Sequence, residues 1–136
     1  MATVEREKGF NVGADVVWKV IGDFAAVDKW APGIEKVEIS DGGKTRTIFL
    51  PGGARIVEHL TAEGDKTQSY ALDPGGALPV VGYTSTLSAE DTADGGCVVR
   101  WTGSFEPAEG TTEETAVQII GMVYDGGLSG IEKAIA

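Results

Sequence analysis

At 136 residues the chain is sized for one domain spanning 1–136, which at this length buries roughly two-thirds of its unfolded surface and needs neither disulfide nor metal to fold. Its 11 Lys+Arg against 21 Asp+Glu give a formal net charge of -10, a surface that repels phosphate backbones and speaks against nucleic acid as a partner. Met1 leads into Glu5, Arg6, Glu7 and Lys8 rather than an apolar leader, no window approaches the roughly 18 apolar residues of a membrane span, and Cys97 is the single cysteine; a cytoplasmic protein with no membrane insertion is expected.

Residues 3–12 read as a strand, with Val4, Phe10 and Val12 on one parity. Gly13-Ala14-Asp15 opens a short helix carrying Val17, Trp18 and Ile21, with Asp15 in the first turn where a carboxylate complements the helix dipole. Gly22-Asp23 breaks it, and Phe24 to Trp30 forms a second short helix ended by Pro32-Gly33. Strands then follow in series: around Ile34, Val37 and Ile39; Arg46 to Leu50; Ala54 to Glu63; Thr67 to Leu72; Val80 to Glu90; and Cys97 to Glu106. Tight Gly- and Asp-rich connections separate most of them, and Asp73 to Pro79 is a longer loop.

Thr111 followed by Glu114 has capping-box spacing and announces the last helix. Val117, Ile120, Tyr124, Leu128, Ile131 and Ile135 make one continuous helical face. Gly121, Gly126, Gly127 and Gly130 interrupt its surroundings, either relaxing the helix end or admitting a close neighbour. Consecutive strands joined by tight turns imply an antiparallel α+β domain: a curved seven-stranded sheet around a long C-terminal helix, with two short helices after strand 1. One helix cannot cover such a sheet, and the space left over is the expected cavity.

The pattern resembles the START-like, Bet v 1-like (SRPBCC) superfamily with the helix-grip fold, and within it bacterial proteins of the polyketide cyclase/dehydrase type. The residues that carry it are Val17-Trp18-Lys19-Val20-Ile21-Gly22-Asp23-Phe24, Trp30-Ala31-Pro32, Arg46, Ile56-Val57-Glu58-His59-Leu60, Tyr70, Leu78-Pro79-Val80, Tyr83-Thr84-Ser85, Val99-Arg100-Trp101 and Gly127-Leu128. A more distant similarity runs to the plant abscisic acid receptors. Leu50-Pro51-Gly52-Gly53-Ala54 is similar to their gate loop, Glu58 to their pocket glutamate, and Tyr83 and Ser85 to their polar pocket groups, while Gly76 to Val80 stands where their second loop lies. The second loop lacks their basic-polar latch, and their anchoring lysine has no counterpart, so the resemblance implies a lidded pocket rather than hormone sensing.

Glu58 shares strand parity with Ile56 and Leu60 and is expected to point inward. There it either works as a ligand or acid–base group or forms a structural pair with Arg46 on the neighbouring strand. Tyr83 and Ser85 share parity with Leu87, and Tyr70 with Leu72; each hydroxyl is either a pocket group or a core tyrosine or serine with a backbone partner. Trp101 falls on the inward face with Val99 and Phe105, and Trp18 and Trp30 read as packing residues at the mouth, with ligand contact also open to Trp30. Pro51 and Leu78 on the two loops and Ile120 and Tyr124 on the terminal helix complete the expected lining. His59 takes the opposite, solvent-facing parity, and a lone histidine gives no metal site.

The expected function is binding of a small hydrophobic molecule, a lipid, polyketide or similar metabolite, without a cofactor. The alternative is a polyketide cyclase or aromatase that uses Glu58, Tyr83 and Arg46 for proton transfer. No nucleophile–base pair and no phosphate-cradling glycine loop is present in the sequence, and the pattern sets no oligomeric state.

Overall fold

The computed structural model describes residues 1–136. Strands β1 (Ala2–Phe10), β2 (Lys36–Ser40), β3 (Thr45–Phe49), β4 (Arg55–Gly64), β5 (Thr67–Leu72), β6 (Val80–Asp91) and β7 (Cys97–Pro107) form one antiparallel sheet in the order β1-β7-β6-β5-β4-β3-β2. Helix α1 (Ala14–Ile21) and a 3-10 segment (Phe24–Lys29) link β1 to β2, and α2 (Glu113–Ile135) closes the chain. The second expected short helix is thus a 3-10 segment, broken at Ala26 by a non-helical φ of -108°. Strand 1 joins the sheet beside the last strand, with Ala2 opposite Phe105 and Phe10 opposite Cys97.

Inward and outward residues alternate as the pleat requires. Along β7 the buried set is Cys97, Val99, Trp101, Gly103 and Phe105, with Arg100, Thr102 and Ser104 between them on the wetter face. Burial and the nearby Asp91 carboxylate push the Cys97 thiol up, which keeps it neutral and unreactive.

The segment between β1 and β2 is too short to carry a core of its own, and polar side chains from the sheet pin its backbone ends. Gly13 caps α1 without a side chain, and Asp91 of β6 supplies the missing acceptor to the Ala14 N–H at 2.8 Å. At the other end Gln68 of β5 donates to the Gly22 carbonyl at 3.0 Å, and Arg46 of β3 donates to the Phe24 carbonyl at 2.8 Å.

Helix α2 packs against β1, β7 and α1. The inner face of β3 to β5 is therefore left free of α2, and the 3-10 segment packs beside it on β2. The helix cap is Thr112, whose hydroxyl accepts the Thr115 N–H at 3.1 Å; the Thr111/Glu114 capping box lies one residue too early.

Two of the α2 glycines, Gly127 and Gly130, are there for close approach. A Cβ on Gly127 would lie 2.5 Å from the Trp101 ring, and one on Gly130 would collide with the Trp30 backbone carbonyl. A Cβ on Gly126 meets only Pro32, at an ordinary 3.8 Å. Gly130→Ala is expected to destabilise the fold by about 2 kcal/mol, because the roughly 3 kcal/mol cost of overpacking against rigid backbone exceeds the gain of about 1 kcal/mol in helix propensity. Gly126→Ala has only the gain and should stabilise. Urea denaturation checks both signs; equal effects at the two sites would refute the close-approach account.

Candidate functional site

A cavity of about 230 Å³ lies between the uncovered half of the sheet and α2. Its wall is mostly hydrophobic: Val27, Trp30 and Ile34 from the connecting segment, Ile48, Leu50 and Ile56 from the β3–β4 hairpin, Leu78 and Leu87, and Met122, Val123 and Gly127 of α2. Polar side chains enter it from adjacent strands: Arg46 on β3, Glu58 on β4, Gln68 and Tyr70 on β5, and Tyr83 on β6.

Arg46 and Glu58 are direct cross-strand partners, and both are buried. Arg46 Nε donates to Glu58 Oε1 at 2.7 Å, its Nη1 holds the Phe24 carbonyl, and the guanidinium lies 3.9 Å from the centroid of the Phe24 ring and 5.2 Å from that of Tyr70. Of the two roles open to Glu58 in sequence, the pair with Arg46 is the one that the geometry forms. The same pair nonetheless faces the cavity.

Beside it is a cluster of hydroxyls and rings. The Tyr83 and Tyr124 hydroxyls are hydrogen bonded to each other, Tyr124 Oη lies 3.0 Å from Ser85 Oγ, and Ser85 donates to the Thr102 carbonyl at 2.8 Å. Trp101 Nε1 donates toward both Tyr70 Oη, at 3.1 Å, and Ser85 Oγ, at 3.0 Å. The Trp101 and Tyr124 rings stack at 4.3 Å, and Gly103 makes room for the Tyr124 hydroxyl, which a Cβ there would strike. Burial, the largest cause, pushes the Tyr124 hydroxyl up to about 12 and those of Tyr70 and Tyr83 well above their ordinary value. Trp30 Nε1 is buried with no hydrogen-bond partner.

Of the residues expected to line a pocket, Arg46, Glu58, Tyr70, Leu78, Tyr83 and Trp101 stand in the wall. Four stand elsewhere. Ser85 and Tyr124 are buried behind the wall and hold its tyrosines and tryptophan in place; Ile120 is fully buried in the core; Pro51 is exposed, its neighbour Leu50 taking the wall position. Gln68 was missed, although it alternates with Tyr70 and Leu72 and so carried the same inward signal.

On the opposite face of the sheet His59 Nδ1 meets Thr45 Oγ1 at 3.0 Å and its Nε2 meets Asp73 Oδ1 at 2.8 Å. This row has the order of a hydroxyl–imidazole–carboxylate relay, but it lies away from the cavity and ties β3, β4 and the loop after β5 together. No group of His, Cys, Asp or Glu side chains is placed to hold a metal ion, and no helix is long and apolar enough to cross a membrane.

The fold has close counterparts among solved structures. The protein XoxI from Bacillus cereus shares 27% identity at a TM-score of 0.92, with 99% of this chain and 96% of that one aligned. An uncharacterised protein from Bacillus thuringiensis shares 25% identity at a TM-score of 0.89, covering 98% of each chain. Norcoclaurine synthase from Thalictrum flavum, solved with dopamine and hydroxybenzaldehyde, shares the fold at 20% identity and a TM-score of 0.72, over 98% of this chain and 83% of that one. No functionally curated protein matches the sequence. The family described as polyketide cyclase/dehydrase and lipid transport matches residues 1–136, and the chain belongs to that family.

Proposed function

We propose that the protein binds a small, largely apolar molecule, a lipid, polyketide or similar metabolite, in the cavity between sheet and α2, acting as a carrier or sensor. The observation that carries this reading is the wall itself: 14 of its 20 residues are hydrophobic, with polar groups confined to a few adjacent strand positions, the composition of a small-molecule site. Family membership supports the same reading. Its setting is a reducing, cytoplasmic one, in which the single buried thiol needs no partner.

The polar groups favour binding over proton transfer. Glu58 is engaged by Arg46 in a charge-assisted bond. Tyrosine hydroxyls pushed well above their ordinary value by burial are poorly matched to acid–base work near neutral pH.

The test is titration with the neutral fluorophore N-phenyl-1-naphthylamine. Saturable one-to-one binding is expected, and Ile56→Trp, which places an indole in the cavity, should weaken it by about tenfold or more, equivalent to 1.4 kcal/mol. Binding that is unsaturable, or that Ile56→Trp leaves untouched, would remove the cavity as the site.

A further inference from the structure

We infer that the cavity selects a neutral, largely apolar molecule with a free hydroxyl, an alcohol or phenol, which closes the open edge of the Arg46–Glu58 pair by accepting from Arg46 Nη2 and donating to Glu58 Oε2. The inference rests on the binding reading above and adds to it the ligand's polar group.

The tyrosine cluster is closed on itself. The Tyr83 and Tyr124 hydroxyls bond to each other, Tyr124 and Tyr70 are both hydrogen bonded to Ser85, and the Trp101 N–H points at Tyr70 and Ser85. Trp30 Nε1 is the one fully enclosed side-chain polar atom without a partner, and enclosed as it is, no ligand atom reaches it.

The cross-strand pair is different. A guanidinium presents its Nε–H and an Nη2–H side by side, and a carboxylate can take both. Here Arg46 Nε donates to Glu58 Oε1 at 2.7 Å and Nη1 donates to the Phe24 carbonyl at 2.8 Å, while Nη2 and Glu58 Oε2 make no hydrogen bond within the protein. Gln68 is in the same state. The Gly22 carbonyl can only accept, so the Gln68 amide nitrogen faces it at 3.0 Å and Oε1 is left without a donor. None of these three atoms is enclosed as Trp30 Nε1 is. Their residues are more than nine-tenths buried and all stand in the wall, so the space they open on is the cavity.

The free capacity is one donor edge and two acceptors. A ketone or ether brings no proton for Glu58 Oε2 or Gln68 Oε1, whereas a hydroxyl both gives and receives. Charge narrows the ligand further. Arg46 and Glu58 already neutralise each other, so a ligand carboxylate or ammonium would enter the cavity without a countercharge.

The test compares 2-naphthol with 2-methoxynaphthalene, which keeps the rings and the oxygen but has no proton to give, by calorimetric titration of the wild type and of Glu58→Gln. Glutamine matches glutamate in size and keeps an acceptor for Arg46 Nε, but replaces Oε2 with an N–H donor. The wild type should bind 2-naphthol about tenfold more tightly, the size of a hydrogen bond to a charged group, although burial favours the extra methyl of the ether. Glu58→Gln should cut that preference to less than about twofold. A second reading needs no variant: donation toward a carboxylate should move the 2-naphthol absorption band to the red on binding, with no such shift for the ether. Equal affinities in the wild type, a preference that Glu58→Gln leaves intact, or an unshifted band would overturn the hydroxyl assignment while leaving the cavity as a binding site. So would failure of 2-naphthol to bind a protein that takes up N-phenyl-1-naphthylamine. Failure of all three compounds to bind the wild type would overturn the binding reading and this inference with it.

Discussion

Arg46→Met is expected to destabilise the protein by about 3–5 kcal/mol, a large part of the 5–15 kcal/mol that holds a typical domain together. The side chains of Arg46 and Glu58 are only 4% and 9% exposed, so water neither screens the pair nor solvates the carboxylate left behind. The substitution also strips the Phe24 carbonyl of its donor and the Phe24 ring of the cation above it. Arg46→Lys should recover only part of the loss, because an ammonium lacks the planar fork that serves Glu58 and Phe24 together. The decisive variant is Arg46→Met combined with Glu58→Leu. With no buried charge remaining, most of the stability should return, falling short by about 1 kcal/mol for the unmatched Phe24 carbonyl. Urea midpoints at constant m-value measure the whole cycle. A single-variant loss under about 1 kcal/mol, with no recovery in the double variant, would show that the pair is not the buried anchor that the geometry describes.

The inward parity of Glu58 could be read from sequence, and a pair with Arg46 was one of its two open roles; which role forms could not be read. It depends on how the Pro51–Gly53 connection turns, because one residue of slip would send one side chain to the other face. The same dependence on register hid the Thr45–His59–Asp73 row, although the solvent-facing parity of His59 was legible. Parity also says nothing of depth. Ser85 shares the inward face with Tyr83, yet the stacked Trp101 and Tyr124 rings keep it behind the wall. The α2 glycines were legible as an anomaly in a helical pattern; what approaches Gly127 and Gly130, Trp101 and Trp30, is set by tertiary packing. Helix existence was clear from the periodic apolar face, whereas the choice of Thr112 over Thr111 as cap was a choice between adjacent hydroxyls.

Above pH 10 the fold is expected to lose stability steeply. The chain has three tyrosines, and all three, Tyr70, Tyr83 and Tyr124, are buried in one cluster with their hydroxyls pushed up, chiefly by burial. In the unfolded chain they titrate near 10. Between that value and about 12, where Tyr124 titrates in the folded chain, the native state holds more protons than the unfolded one, so stability falls as pH rises. The stabilisation is complete below pH 10. Each hydroxyl still protonated in the fold costs about 1.4 kcal/mol per pH unit beyond it, which makes about 4 kcal/mol for the cluster at pH 11. The buried Cys97 thiol and Lys66, raised by its hydrogen bonds to Asp15 and Asp65, act in the same direction. Tyrosinate absorbance should stay flat in the native protein past pH 10 and then rise together with loss of near-ultraviolet circular dichroism, while the urea-unfolded chain titrates smoothly near 10. A smooth rise near pH 10 with the fold intact would mean that the cluster is open to solvent. Because Tyr70 and Tyr83 are cavity wall, a bound apolar ligand stabilises the native, protonated state and should move the alkaline transition to higher pH.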